Sequence, residues 1–300
     1  MMTENELILL DRIGVIRDTI KKYGEENFYL SFSGGKDSTV LHYLLDEALP
    51  GNRIPRVFID TGIEYIAIRK FVMDLADKDN RFHIIKPSKS IKQVLETYGY
   101  PFKSKEHAHI LATYQRSGMT KSSERYLDES DGGRMLHCPK VLRYQFSPDF
   151  KLKISDQCCL RLKKKPVKAW EAESGRAIPI TGMRKEEGGE RKSIKGCVLT
   201  DGNGNLKKFH PLLVVSDEWE EWYAAQRNIK FCELYYPPFD FKRTGCKGCP
   251  FALALQEQLT LMGVYLPGER AQCEAIWKPV YDEYRRLGYR LNKEEQIKLF

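Results

Sequence analysis

Residues 31–38 read Ser-Phe-Ser-Gly-Gly-Lys-Asp-Ser. They follow the apolar run Phe28-Tyr29-Leu30 and precede a stretch, Thr39 to Leu49, whose apolar residues recur at helical spacing. Two glycines at such a strand-to-helix seam allow positive φ and let backbone N–H groups approach an anion closely. A helix starting near Asp37 aims its first N–H groups and its partial positive charge at the same point. Lys36 adds a mobile cation, and Ser33 and Ser38 add hydroxyls. Asp37 cannot bind phosphate unaided; it caps the helix or holds Mg²⁺. The competing reading is a plain glycine turn with a helix cap. The loop is not a Walker A sequence, because G-x-x-x-x-G-K-[ST] is absent from the chain.

A second set of residues is sulfur-bearing. Of eight cysteines, Cys158 and Cys159 are adjacent, Cys246 and Cys249 form a C-x-x-C, and Cys138, Cys197, Cys232 and Cys273 stand alone. The N-terminus places acids ahead of its apolar stretch, unlike a signal peptide, and no apolar run approaches the ~20 residues of a membrane span. A cytoplasmic location with no membrane association is the expectation. Disulfides are rare there, so the cysteines call for another use. The net charge of +8 suits an anionic ligand such as a nucleotide or nucleic acid, and equally a merely basic surface.

The elements that must position these groups follow from periodicity. Leu7, Leu10, Ile13, Ile16 and Ile20 predict a helix from about Glu4 to Tyr23, stopped by Gly24. Strands are predicted near 28–32, 54–60 and 82–85, with helices to about Leu49 and over 65–78 between them. That alternation predicts βαβ units and a parallel sheet, whose ligands bind beyond the carboxyl ends of the strands. Both Ser33–Ser38 and Asp60-Thr61-Gly62 fall at such ends. Residues 100–157 read as a partly helical insertion. A further strand is expected at 177–183, then a hairpin turning at Asp201-Gly202, then a helix capped by Ser216. The tail after Gly263 is charged and predicted to be helical near its end.

S-G-G-x-D-S resembles the PP-loop of the ATP pyrophosphatase and adenine-nucleotide α-hydrolase superfamily. Further segments, in order, are VFIDTGIEY, GYPFKSKEHAHI, ISDQCCLRLKKKPVKAW, ITGMRKEEGGERKSIKGC, FHPLLVVSDEWEEW and RTGCKGCPFA. Together they look like the phosphoadenosine phosphosulfate (PAPS) reductase family, closest to its bacterial and phage-type members, over roughly residues 25–255. The resemblance implies an α/β fold: a Rossmann-like parallel sheet flanked by helices, with a helical insertion and a C-terminal cysteine-bearing segment. It implies a nucleotide-binding domain over 1–235, containing the 100–157 insertion, and a segment over 236–300 with the C-x-x-C and helices. It also implies that Ser33, Gly34, Gly35, Lys36, Asp37 and Ser38 bind the nucleotide's phosphates and that Asp60 and Gly62 line its pocket. Arg184 and Arg191 match arginines facing the anionic substrate, where the planar guanidinium meets phosphate or sulfate with two hydrogen bonds.

C-x-x-C lets two thiolates converge, with Gly245 and Gly248 leaving the loop free to bend, and Cys158 and Cys159 complete four sulfur ligands. Four thiolates suit a [4Fe–4S] cluster or zinc equally; the resemblance favours the cluster. Cys197 is a rival for one position, since a Gly-Cys stands there in phage-type members. Cys138, Cys232 and Cys273 read as small apolar residues. The basic run Arg161, Lys163, Lys164, Lys165 and Lys168 is a solvated face, compensation for an anionic cluster and nucleotide, or a nucleic-acid contact.

Two departures from the family pattern direct the functional reading. Sulfonucleotide reductases carry a nucleophilic cysteine near the C-terminus in an E-C-G-[IL]-H context, and nothing after Cys273 is a cysteine. Many of them have also altered the loop that is intact here. The expectation is therefore an enzyme that cleaves ATP to AMP and pyrophosphate, activating an acceptor or mobilising sulfur, with Mg²⁺ and an iron–sulfur cluster. Its partners would be an adenine nucleotide and a nucleic acid or sulfur-carrier protein, with homo-oligomerisation open. The alternatives are a PAPS or APS reductase releasing sulfite, with PAPS as the nucleotide, and a non-catalytic nucleotide-sensing or DNA-binding module.

Overall fold

The computed structural model describes residues 2–128, 130, 137–186, 188, 191 and 193–293. The chain forms two compact units. The first comprises Met1–Asp60, Glu64–Lys86 and Pro166–Thr244; the second comprises Thr61–Ile63, Pro87–Lys165 and Gly245–Phe300.

The first unit opens with α1 (Glu4–Tyr23), started by a capping box in which Thr3 and Glu6 satisfy each other's backbone amides. β1 (Phe28–Ser31) leads into α2 (Lys36–Ala48), β2 (Arg56–Ile59) into α3 (Ile66–Ala76), and β3 (Phe82–Ile85) completes this half of the sheet. The sheet order is β3-β2-β1-β4-β6-β5, where β4 is Ile178–Ile180, β5 is Val198–Thr200 and β6 is Leu206–Phe209. All pairings are parallel except β5 with β6, the expected hairpin. Strand order reverses between β1 and β4. The carboxyl ends of those strands are where an open α/β sheet leaves a crevice.

The core of this unit is built on the near-continuous burial of β1, where Phe28, Tyr29 and Leu30 are all enclosed, as parallel strands covered on both faces require. Tyr29 packs edge-on against Trp170 and donates to the Glu171 carboxylate at 2.7 Å. Under β2, Arg56 is fully buried. Its guanidinium reaches Asp46 at 2.6 Å and Asn52 at 2.8 Å, and Arg81 also bridges to Asp46. Burial and the Arg56 charge hold His42 down near 4, so it is neutral in this network.

The second unit is helical: α4 (Ile91–Tyr98), α5 (Lys105–Ser117), α6 (Lys121–Leu127) and the short α7 (Gln157–Cys159). A π-helical stretch, Leu160–Lys164, runs on from α7 into α8 (Lys165–Ser174). In the first unit Ser216 caps α9 (Asp217–Gln226) by accepting from the Trp219 amide, as expected. α10 (Leu255–Tyr265) and α11 (Pro267–Leu287) close the second unit. The predicted helical tail is α10 and α11 where it is described; 294–300 lie outside the described residues. Among the described residues no helix is long and apolar enough to cross a membrane.

Candidate functional site

β1 delivers the Ser33–Ser38 loop to the start of α2, and the loop is cross-tied internally. The Ser33 amide donates to Ser38 Oγ at 3.2 Å, and the Gly35 amide points to Ser33 Oγ at 3.3 Å. Ser38 Oγ in turn donates to the Gly35 carbonyl at 3.0 Å. Gly34 has φ 74, and a Cβ there would meet Ile68 Cγ2 of α3 at 2.9 Å. Only glycine fits that seam on both counts. Gly35 is the N-cap of α2 and supplies no side chain to cap it. Asp37 is not the cap. The first helical hydrogen bond runs from the Thr39 amide to the Gly35 carbonyl at 3.0 Å. The preceding amides of α2 precede the intrahelical ladder, as at any helix start, and carry the positive end of the helix dipole.

Asp37 instead binds Arg184. Arg184 Nε donates to Asp37 Oδ1 at 2.7 Å, Nη2 to Asp217 Oδ1 at 2.5 Å, and Nη1 to Glu186 at 3.3 Å. Glu220 Oε2 stands 3.4 Å from the same guanidinium. One buried arginine thus gathers four carboxylates. Burial, and then the Asp37 charge, push Glu220 up to about 9 against the pull of Arg184, so Glu220 holds a proton at neutral pH. Its Oε1 is buried without a hydrogen-bond partner. The Arg184 guanidinium is therefore occupied by protein carboxylates here. Arg191 lies in a turn, its amide donating to the Gly188 carbonyl and its carbonyl accepting from Ile194. Asp60, at the end of β2, is buried and accepts from Arg69 Nε at 3.0 Å. Gly62 follows in the second unit with φ 78.

Sequence reasoning missed two neighbours of the loop. Gly182, just beyond β4, packs on the first turn of α2. A Cβ there would lie 2.8 Å from the Asp37 carbonyl carbon. Tyr235 brings its hydroxyl to 3.3 Å from where a Gly35 Cβ would stand, and that hydroxyl bonds to Thr244 Oγ1. The Thr-Gly-Met ending of the fourth predicted strand was the available signal for Gly182. Nothing local marks Tyr235, which is 199 positions from Lys36 in sequence only by way of a tertiary contact.

The cysteines divide between the units. Cys158, Cys159, Cys246 and Cys249 all belong to the second. All are free thiols, with Cys158 buried and the other three half-buried. Burial first, then the mutual influence of Cys159, Cys246 and Cys249, raises the Cys158 pKa, while Lys163 opposes the rise. Cys249 is pushed up to about 12 by burial and by Cys246. Thiols are, once deprotonated, the donor type that a thiolate-bound group takes. Among the described residues no group of three or more Cys, His, Asp or Glu side chains is arranged to hold a metal ion. Cys197 belongs to the first unit, where its sulfur accepts from Arg12 at 3.3 Å.

The C-x-x-C loop is heavily anchored. Lys247 is buried against Glu269 at 2.8 Å, and its amide donates to the Ile63 carbonyl at 2.9 Å. Tyr281, Tyr284 and Trp277 of α11 donate to the carbonyls of Gly248, Pro250 and Lys247. Cys273, on the same helix, is fully buried, and a Cβ on Gly248 would come within 2.8 Å of its sulfur. Cys138, Cys232 and Cys273 are all core residues, as expected. Ahead of Cys158 and Cys159, the bridge between Tyr100 and Ile154 and the bond from the Gln157 amide to Ser155 Oγ fix the start of α7. In the basic run, Arg161 stacks over the Tyr98 ring at 4.2 Å and Lys168 pairs with Glu171.

Residues 27–137 and 137–252 match the family model described as the phosphoadenosine phosphosulfate reductase domain. The chain belongs to that family. Among curated proteins this PAPS reductase family chain is 39% identical to GMP synthase [glutamine-hydrolyzing] of Prochlorococcus marinus over 69 residues, covering 23% of this chain and 12% of that protein. It is 29% identical to NH(3)-dependent NAD(+) synthetase of Halalkalibacterium halodurans over 143 residues, covering 46% of this chain and 52% of that one. The matched part is therefore at most about half the length of these relatives. Phosphoadenylyl-sulfate (PAPS) reductase from Candida auris, solved as a phosphate complex, is 14% identical with a TM-score of 0.44, covering 82% of this chain and 96% of that chain.

Proposed function

We propose that this family member is an ATP-cleaving PP-loop enzyme that activates an acceptor. The observation that carries the reading is the intact Ser-Gly-Gly-Lys-Asp-Ser loop ahead of an α2 whose N-cap, Gly35, has no capping side chain. In this reading an acceptor nucleophile forms a bond to the α-phosphorus of ATP. The bond to the bridging α–β oxygen breaks, and pyrophosphate leaves with that electron pair. The loop amides, Ser33 and Ser38 hold the departing phosphates, and Lys36 offsets their charge. Asp37, turned by Arg184, would meet a nucleotide-bound Mg²⁺, while Asp60 and Gly62 line the nucleotide's pocket. Arg191 would face the substrate. The acceptor class is a nucleic acid or a sulfur-carrier protein.

Cys158, Cys159, Cys246 and Cys249 are proposed to hold a [4Fe–4S] cluster, with zinc giving the same four-thiolate staple. A bound cluster would supply thiolate-ligated iron for holding the cysteine loop or for sulfur chemistry. The reductase reading is disfavoured by Cys273: it is enclosed by α11 and Gly248, and burial pushes it up to about 12. The test is pyrophosphate release from ATP in the presence of candidate acceptors, with sulfite release from PAPS measured in parallel. Lys36→Ala and Asp37→Ala should each lower ATP turnover by about tenfold or more with the fold intact. Wild-type rates in both variants would remove the loop from the reaction.

A further inference from the structure

The Lys36 side chain is turned towards two aromatic rings. Its ammonium lies 5.4 Å from the centre of the Tyr235 ring and 5.9 Å from that of Phe231. Both distances are within the range where a ring face attracts a cation. Lys36, Phe231, Tyr235, Tyr236 and Lys230 share one open cavity of about 420 Å³ in the first unit. Tyr235 itself is buried, held by the short helical turn Glu233–Tyr235 and by its bond to Thr244. Its hydroxyl also abuts Gly35, the N-cap of α2. Burial keeps that phenol protonated, pushing it up to about 12. The same aromatic side chain therefore touches the loop at two points, the Gly35 backbone and the Lys36 ammonium.

We infer that Tyr235, seconded by Phe231, is a positioning residue for Lys36. The two ring faces hold the ammonium at the edge of the cavity, in one place and still charged, until an incoming phosphate group takes it. A free lysine side chain must give up its rotamer freedom when it binds a phosphate. A lysine already parked on two rings gives up less, so the rings lower the cost of recruiting it. The rings do not compete strongly with the ligand, because a cation–π contact is weaker than a charge-assisted bond to phosphate. The chemistry that draws the lysine away is that of a nucleoside triphosphate or of inorganic pyrophosphate. This inference rests on the proposed phosphate-binding role of the loop.

The experiment has two arms, so that failure of the loop assignment and failure of this inference separate. In the first, the ammonium is probed without nucleotide: the protein is treated with an N-hydroxysuccinimide ester and acylation of Lys36 is followed by peptide mass spectrometry. Tyr235→Leu should raise the Lys36 acylation rate severalfold, and Tyr235→Phe, which keeps the ring, should restore it to near the wild-type rate. Equal rates in wild type and Tyr235→Leu overturn the inference whatever the protein does with ATP. In the second, affinity for ATP is measured by calorimetry. Tyr235→Leu should weaken ATP binding about three- to tenfold in the wild-type background and have no further effect in a Lys36→Ala background. A loss that is just as large without Lys36 would assign Tyr235 a merely structural role. Wild-type protein that binds neither ATP nor pyrophosphate would sink the loop assignment, while the acylation arm would still report on where the lysine rests.

Discussion

Gly182→Ala puts a single methyl group where β4 meets the phosphate loop. The new Cβ would stand 2.8 Å from the Asp37 carbonyl carbon, 2.9 Å from its Cβ and 2.9 Å from its carbonyl oxygen. Gly182 does not have a positive φ, so alanine costs no backbone strain there, and the effect is steric. Carbon atoms settle at about 3.5–4.0 Å, so something must move by more than half an ångström. Two of the three atoms are main chain in the first turn of α2, which cannot swing aside as a long side chain would. Overpacking of this kind costs about 1–3 kcal/mol, which for a domain of this size lowers the melting temperature by several degrees. The larger effect is expected on the loop. Displacing α2's first amides by a fraction of an ångström degrades the phosphate cradle, and misplacement near 1 Å costs up to about 10²-fold in rate. ATP affinity and pyrophosphate release should thus fall about tenfold or more, beyond what the modest loss of stability explains. The assays are calorimetric ATP titration and coupled pyrophosphate detection, with thermal melts as control. A Gly182→Ala protein with wild-type affinity, rate and melting temperature would refute the close approach of β4 to α2.

Three other outcomes follow from the same geometry. Glu220 has a folded pKa raised above its unfolded value, so its contribution to stability is fully present below about pH 4.5 and is lost as pH rises towards 9; Glu220→Gln should flatten the decline in melting temperature between those limits, and an unchanged slope would count against the buried proton. Glu269→Ala strands the buried Lys247 ammonium and should cost about 3–5 kcal/mol, read by chemical denaturation; a loss under 1 kcal/mol would mean the pair is solvated. Protein purified without oxygen should absorb broadly near ~400 nm, as thiolate-bound iron–sulfur clusters do, with the colour lost in Cys246→Ser or Cys249→Ser and kept in Cys232→Ser; colourless protein with stoichiometric zinc would replace the cluster by zinc.

Local patterns carried much of the fold. The i, i+3 repeat from Leu7 to Ile20 marks α1, and Ser216 with its following acids marks α9, because caps and amphipathic faces are written in adjacent residues. α4 was not predicted, although Ser90 and Gln93 form a capping box three residues apart, because the stretch around it is charged and reads as a connection. The strand–glycine–helix seam put the Ser33–Ser38 loop between β1 and α2, where the structure has it. What could not be read were long-range contacts. That Arg184 would be surrounded by Asp37, Glu186, Asp217 and Glu220 depends on where α9 packs. That Cys197 would face Arg12 while Cys158, Cys159, Cys246 and Cys249 belong to the second unit depends on how the chain divides, and no composition shift records that division.

The division has a consequence for biosynthesis. The chain passes between its two units after Asp60, Ile63, Lys86, Lys165 and Thr244. The sheet-bearing unit has all its segments once Thr244 has left the ribosome. The other unit has Cys158 and Cys159 early but lacks the C-x-x-C loop and its α11 buttress until some forty residues later, at about 5–20 residues per second. For those seconds the first pair of thiols has its earlier neighbours, α4 and the Tyr100 bridge, but lacks the C-x-x-C loop and α11. All four of these sulfurs are present together only after the C-x-x-C loop has been made, when every segment of the sheet-bearing unit is already synthesised. Connectivity alone thus orders the completion of the two units, the sheet-bearing one first.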